Sequence, residues 1–460
     1  EDTRASFYDC DDQDFHENLA DSQCRHVQVK LEHGATDGEG IELFVRKFPA
    51  RDRHQGDIWL IAGGPGESGA SFYADIDFFR DTFSHYDVVV PDHRGTGYSS
   101  KLCMPEETRD SVDGIALAGE EWGSCFGKLY ANLERSSSFT QRNAAYDLDF
   151  LISTLGSNKR TLIYGVSYGT SLVLEYAKIA TTKIDGIVLD SLVPAPTDTF
   201  NTISFRSHTT DRVGQTLLKR CAEDRNCRLG KHAPAIYRQL LNDLDSGIDI
   251  PGMDRVPNGN LRQLFGTFLD VPSARNRIPD IIFALSTRDA DAGTLLGDTV
   301  KSAEAYWADI LQFPQAKTSI PLTSIITGSE FNARPNLTPE MVVAENAKLG
   351  FTSPLSGFLA NGGFPLYTAP DPLPMPKTMP PVLVLQGTLD NKTPYAAAVD
   401  RLEILRAFGK VELVSFEDAP HAIYITSQDC LAAPLSRFAK NPSTIVSETC
   451  RAGPNAVLFQ

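Results

Sequence analysis

Residues 27–33 (Val-Gln-Val-Lys-Leu-Glu-His) alternate apolar and polar side chains, the period-two pattern of a half-exposed strand, and residues 40–48 read as its hairpin partner. Six short apolar runs follow, at 57–62, 87–90, 161–165, 186–190, 381–385 and 411–416, each ending in turn residues. Strands that are apolar throughout are buried on both faces, which is the habit of a parallel sheet. Helical spacing separates several of them. Residues 140–155 carry Ala144, Ala145, Leu148, Leu151, Ile152 and Leu155 on one face, and 168–180 and 394–407 also read as helices. An antiparallel start followed by strand–helix alternation predicts an α/β fold, a mostly parallel sheet flanked by helices. The alternation stops between 191 and 380, where the chain is helical, polar and irregular, with Pro/Gly-rich seams at 193–197 and 362–381. The expected organisation is therefore a core in two parts, 1–195 and 376–455, with a large, mainly helical cap inserted at 196–375.

The apolar run at 161–165 leads directly into Gly165-Val166-Ser167-Tyr168-Gly169 and then a helical stretch. A strand, a serine with glycines two residues to either side and a helix form the context of a nucleophile elbow, in which the two glycines allow the tight strand-to-helix turn. The helix N-terminus adds a field that favours developing negative charge. An earlier strand ends in Ala62-Gly63-Gly64-Pro65-Gly66, a glycine-rich loop able to turn N–H groups toward an oxyanion. Gly63 and Gly64 are the expected donors there, with Tyr168 N–H, just after the nucleophile, as the further one. Serine needs a base to take its proton and a carboxylate to orient that base. Asp390 follows the run at 381–385 and His421 follows the run at 411–416, in the chain order Ser, Asp, His. Asp418 is a competing carboxylate only three residues before the base.

A second reading competes for the glycine-rich loop. Gly64-Pro65-Gly66-Glu67-Ser68-Gly69 is formally Gly-x-Gly-x-x-Gly after a strand, with Asp92 ending the next strand, as in a dinucleotide site. It leaves an odd crossover and does not account for the serine elbow.

The 460 residues carry a formal net charge of −16, which disfavours nucleic acid and anionic membrane surfaces and favours cationic ligands. No apolar run approaches the ~20 residues of a membrane span. Eight cysteines, none in a Cys-x-x-Cys pair, fall as sequence neighbours, and proximity suggests disulfides 10–24, 103–125, 221–227 and 430–450. With a chain beginning at Glu1 and lacking a signal peptide, the cysteines suggest a mature exported protein, secreted or periplasmic. Residues 456–460 (Ala-Val-Leu-Phe-Gln) resemble the remnant of a viral 3C-type protease tag and are set aside. No cofactor or metal is expected. No His-Glu-x-x-His is present, and the acidic cluster Asp9, Asp11, Asp12 and Asp14 lacks the spacing of a calcium loop. Of the glycosylation sequons at Asn336 and Asn391, the second abuts Asp390, where a glycan would block chemistry.

Gly-Gly-Pro-Gly, then Asp92-His93-Arg94-Gly95-Thr96-Gly97-Tyr98-Ser99, then Gly-Val-Ser-Tyr-Gly-Thr, Gly-Thr-Leu-Asp-x-x-Thr-Pro and Pro-His together resemble the prolyl aminopeptidase and tripeptidyl aminopeptidase family of α/β-hydrolases. The resemblance spans about 27–195 and 376–440, and length and cysteines look more like the exported tripeptidyl branch. Where the family's oxyanion motif opens with His, this chain has Ala62, which removes a side chain but no backbone donor. The resemblance implies an α/β-hydrolase fold, cleavage of short peptides from a free N-terminus, and a structural role for Arg94 in tying loops together. It also implies a cap carboxylate for the substrate ammonium, and Glu330, after the apolar and strand-like 325–326, is the candidate. An esterase or lactonase acting on a non-peptide acyl substrate with the same triad is the alternative enzyme, and a catalytically silent binding module the alternative class. Oligomeric state is left open.

Overall fold

The computed structural model describes residues 6–108, 110, 111, 117 and 119–459. Its centre is a ten-stranded sheet: β1 (Tyr8–Asp9), β2 (Gln23–Lys30), β3 (Gly40–Phe48), β4 (Gly56–Ile61), β5 (Tyr86–Asp92), β6 (Arg160–Val166), β7 (Gly186–Asp190), β8 (Val382–Gly387), β9 (Val411–Phe416) and β10 (Glu448–Cys450). The spatial order is β1-β2-β3-β5-β4-β6-β7-β8-β9-β10. The pairings β1/β2, β2/β3 and β3/β5 are antiparallel, and all others are parallel. Every residue of β4, β7 and β8 is buried, as the continuous apolar runs require.

Both faces are covered. Successive residues of β6 point to opposite sides, so Ile163 packs with the helices Gln141–Leu155 and Tyr168–Ala177, while Leu162 and Tyr164 pack with Phe79, Leu435 and Phe438. The edge strands β1 and β10 escape sequence patterning because two or three residues cannot show a period. Covalent tethers hold both edges. Cys10–Cys24 ties the segment after β1 to β2, and Cys430–Cys450 fastens β10, while Cys103–Cys125 and Cys221–Cys227 complete the four expected pairs.

The described residues between β7 and β8 form helices and no strand. Five of these helices, Arg206–Glu223, Ala233–Asp245, Leu261–Phe268, Pro272–Ser286 and Ala292–Leu311, share an apolar cluster of their own that includes Leu217, Tyr237, Phe265, Ile282 and Leu296. The segment Ile320–Glu330 differs. It is a helix, not the strand-like stretch its Ile325–Ile326 pair suggests. Pro321 sits in the first turn, where a missing N–H costs nothing, and Leu322, Ile325 and Ile326 recur at helical spacing and join the cluster under the sheet. Residues 456–459 also make contacts: Val457 N–H donates to Asp418 Oδ2 at 3.1 Å, and Val457 and Phe459 lie against the helical cluster.

One buried ion pair joins several of these elements. Arg94, 1% exposed, donates from Nε and Nη2 to the two oxygens of Asp147 at 2.7 and 2.8 Å. It also donates to the carbonyls of Leu31 (2.6 Å), Ser138 (2.8 Å) and Lys30 (3.1 Å). Burial would raise the Asp147 carboxyl, but Arg94, aided by His33, holds it below the ordinary range. Replacing Arg94 by Met strands that carboxylate and should destabilise the fold by about 3–5 kcal/mol at neutral pH. A group depressed in the folded state contributes its stability above its unfolded value, near pH 4 for Asp, and loses it below. The deficit of Arg94→Met in urea unfolding should therefore shrink as the pH falls toward and below 4. A pH-independent deficit under about 1 kcal/mol would contradict this role.

Candidate active site

Ser167 stands alone between the last residue of β6 and the first residue of helix Tyr168–Ala177, with φ 54° and ψ −124°. Positive φ at a non-glycine residue costs about 1–3 kcal/mol and persists only where the surroundings enforce it. Here they do. A Cβ on Gly165 would lie 2.6 Å from the Gly169 carbonyl oxygen, and one on Gly169 would lie 2.4 Å from the Ile61 oxygen. The two glycines thus let the helix start almost against β4, which turns Ser167 outward. Ser167 N–H donates to Asp190 O at 2.9 Å, and Thr170 Oγ1 donates to Ser167 O at 2.7 Å.

The loop after β4 passes the same point. A Cβ on Gly63 would sit 3.0 Å from Ser167 Cβ, and Gly64 has φ 104°. Among the described residues, the N–H groups of Gly63, Gly64 and Tyr168 have no acceptor. The loop is held from the other side by the helical segment, where Ser319 N–H donates to Gly66 O at 2.9 Å and Thr323 Oγ1 donates to Pro65 O. The dinucleotide reading finds no free acid here. Both oxygens of Asp92 accept N–H bonds at 2.8 Å, from Gly69 and Tyr98, and the residue is fully buried.

The loops after β8 and β9 bring Asp390 and His421 together. His421 Nδ1 is 2.8 Å from Asp390 Oδ2. The other oxygen of Asp390 accepts the N–H groups of Lys392 (2.8 Å) and Thr393 (2.7 Å). Oδ2 also accepts Thr393 Oγ1 at 2.8 Å and Gln386 Nε2 at 3.2 Å. Burial would raise this carboxyl, but His421 and the Thr393 donors hold it below its ordinary value. Asp390 therefore stays ionised and acceptor-only, which fixes His421 with its Nδ1 proton toward the carboxylate. The competing Asp418 is engaged elsewhere, in an ion pair with Arg220.

Two supports went unread in the sequence. The Thr393 hydroxyl, which the Thr-Pro pair marked only as a helix opening, also lies 3.3 Å from His421 Nδ1. At the end of β7, buried Asp190 accepts the N–H groups of Ile423 (2.9 Å) and Tyr424 (3.0 Å), and Ser191 Oγ accepts that of Ala422 (2.9 Å). The backbone just after His421 is thereby bolted to the sheet. Asn391 of the discounted sequon is 2% exposed.

Two cavities meet at Ser167. The smaller, about 340 Å³, is lined by Glu330, Glu175 and Asn332, and the larger, about 590 Å³, by His421, Glu67, Trp307, Ile310 and Phe358. Ser167 and His421 share the wall of the larger cavity without a direct hydrogen bond between them. Gly64, Arg206 and Lys392 line both. Glu330 Oε1 accepts Gln141 N–H at 2.9 Å and the Tyr367 hydroxyl, while Oε2 has no donor among the described residues. Burial raises the Glu330 carboxyl against these two donors. Glu175 in the same cavity is already paired with Arg142 and Lys178.

Several known proteins are similar to this chain. Serine protease Hip1 of Mycobacterium tuberculosis is 24% identical over 456 residues, covering 89% of this chain and 83% of that one. Tripeptidyl aminopeptidase of Streptomyces lividans is 32% identical over 193 residues, 37% of this chain and 35% of that one. Proline iminopeptidase of Mycobacterium smegmatis aligns at 14% identity with a TM-score of 0.42, covering 90% of this chain and 98% of that structure. The family model described as "alpha/beta hydrolase fold" matches residues 58–428, and the chain belongs to that family of hydrolases.

Proposed function

We propose that this hydrolase is a serine exopeptidase that releases short peptides or single residues from a free N-terminus through an acyl-enzyme. The observation that carries the reading is the buried Asp390–His421 hydrogen bond, 2.8 Å, on the wall of the cavity that Ser167 enters. In this scheme Ser167 Oγ attacks the substrate carbonyl carbon and His421 Nε2 takes its proton. The new oxyanion is met by N–H groups of Gly63, Gly64 and Tyr168, which have no competing acceptor to give up. The C–N bond then breaks as His421 returns the proton to the leaving amine, and water repeats the sequence on the ester. Asp390 holds the imidazole tautomer and offsets its positive charge, and Thr393 and Gln386 hold Asp390.

Glu330 supports a peptide substrate over a plain ester. Glu330 lines the smaller cavity and its Oε2 has no donor among the described residues, so an ammonium there would find a charge-assisted partner at a set distance from Ser167. The helical segment 196–375 serves as the cap that closes both cavities over the sheet. Four disulfides fit an oxidising compartment, secreted or periplasmic, and no helix among the described residues is long and apolar enough to cross a membrane.

A panel of peptidyl anilides of one to four residues, each with free and acetylated N-terminus, tests the reading. Free termini should be preferred, and Glu330→Gln should erase that preference. A preference unchanged in the variant would remove Glu330 from the role, and faster cleavage of simple p-nitrophenyl esters with no peptide turnover would favour the esterase alternative. Thr393→Val removes one hydroxyl donor from an ionised acceptor. It should lower kcat about 10–100-fold with KM little changed, and an unaltered kcat would show that Asp390 is held adequately without it.

A further inference from the structure

Among the described residues, the large buried guanidinium groups of Arg46, Arg94, Arg275 and Arg401 each donate hydrogen bonds, and that of Arg206 donates none. Arg46 bonds Tyr73, Ser22 and Asp12, and Arg94 bonds Asp147 and three carbonyls. Arg275 donates to the carbonyls of Asp418 and Asn455, and Arg401 to those of Val193 and Pro194. Arg206, at the start of helix Arg206–Glu223, is only 9% exposed, yet its guanidinium has no hydrogen-bond acceptor and no ion-pair partner among the described residues. Asp390 and Asp270 favour its charge only from beyond hydrogen-bond reach, and a buried guanidinium with no acceptor is expensive, so an anionic ligand group would complete it. Arg206 stands where both cavities reach Ser167.

Its neighbours do not fill the vacancy. Lys392, which also lines both cavities, takes Asp270 at 3.3 Å, and Asp390 is committed to His421 and Thr393. Arg142 and Lys178 of the smaller cavity share Glu175. Burial raises the carboxyl of Glu67 in the larger cavity, against the pull of Lys392 and His421.

We infer that Arg206 binds a carboxylate of the substrate on the leaving-group side of the scissile bond. The inference rests on the serine-peptidase reading above. A guanidinium presents paired N–H groups in a plane, which match a carboxylate better than any neutral acceptor. The side follows from the chemistry. His421 must hand its proton to the leaving amine, and His421 lines the larger cavity and not the smaller, whereas Glu330 lines the smaller and not the larger. Trp307, Ile310 and Phe358 of the larger cavity would receive an apolar side chain of the leaving residue. When the leaving group is one amino acid, its α-carboxylate is two bonds from the scissile nitrogen. An acidic side chain on the leaving residue offers the same chemistry, and the two sources are separable.

The test compares kcat/KM for matched peptides whose leaving residue carries a free carboxylate or a C-terminal amide, and, with that terminus amidated, a Glu or a Gln side chain. A peptidyl anilide, which carries no carboxylate on its leaving group, is the reference. The wild-type protein should favour the carboxylate in one arm by about tenfold or more, and the arm that responds identifies the source. Arg206→Gln should bring both ratios to within about twofold, and Arg206→Lys, which keeps the charge and loses the fork, should fall between. Ratios near one in both arms for the wild type overturn the inference, as does a preference that survives Arg206→Gln. The wild-type ratios decide the first point even if a variant does not fold. If neither the anilide nor any peptide is cleaved while esters are, the peptidase reading fails and takes this inference with it. Anilide cleavage with flat ratios removes the role of Arg206 alone.

Discussion

The constraint on which the site depends is the approach of Gly169 to β4. A single added carbon there would lie 2.4 Å from the Ile61 oxygen and 2.7 Å from the Ala62 oxygen. That contact sets where the helix after β6 can begin, and the helix start forces Ser167 to φ 54°. The same approach brings the Gly63–Gly64 loop past Ser167, so the serine and the N–H groups beside it that lack an acceptor among the described residues are placed by one packing event. A strained residue needs surroundings that over-determine it. Here the sheet pairing of β4 with β6, the Asp190 carbonyl and the Thr170 hydroxyl together do so.

The other half of the site depends on buried charge rather than on close backbone approach. Asp390 and Asp190 each end or follow a central strand; Asp390 is held by donors of its own loop and by His421, and Asp190 by donors of the loop after β9. Asp390 thereby orients His421, and Asp190 fixes the backbone that follows it. Arg94 does comparable work farther from the chemistry, joining the end of β2, the loop after β5 and the helix Gln141–Leu155. Buried charges are tolerated only when paired, so these networks act as rigid joints between loops that packing alone would leave adjustable. Arg206 has no hydrogen-bond or ion-pair partner among the described residues, and Asp390 and Asp270 act on it only at longer range.

The core was readable in the sequence because its strands are continuous apolar runs and its chemistry sits at their ends. Gly165-x-Ser167-x-Gly169, Asp390 and His421 follow strands in an order that few other arrangements share, and the cysteine pairs fell to simple proximity. The short edge strands were invisible because they are held by disulfides and sheet edges rather than by pattern. In the cap, Ile325–Ile326 looked extended until Pro321 and Leu322 placed them on a helix. Thr393 read only as the opening of a helix, since a side-chain contact to Asp390 leaves no trace in periodicity. Arg206 lies in a polar stretch between Phe205 and Ser207, where an arginine normally points to solvent. Only three-dimensional packing shows it shut in beside Ser167.

The central claim is that Ser167 is a nucleophile activated by His421. Labelling the folded protein with a fluorophosphonate and mapping the adduct by peptide mass spectrometry tests it most directly. The account predicts a single stoichiometric adduct on Ser167, reduced by orders of magnitude in His421→Ala while the melting temperature is retained. An unlabelled Ser167 in the folded protein, or an adduct on another residue, would contradict it.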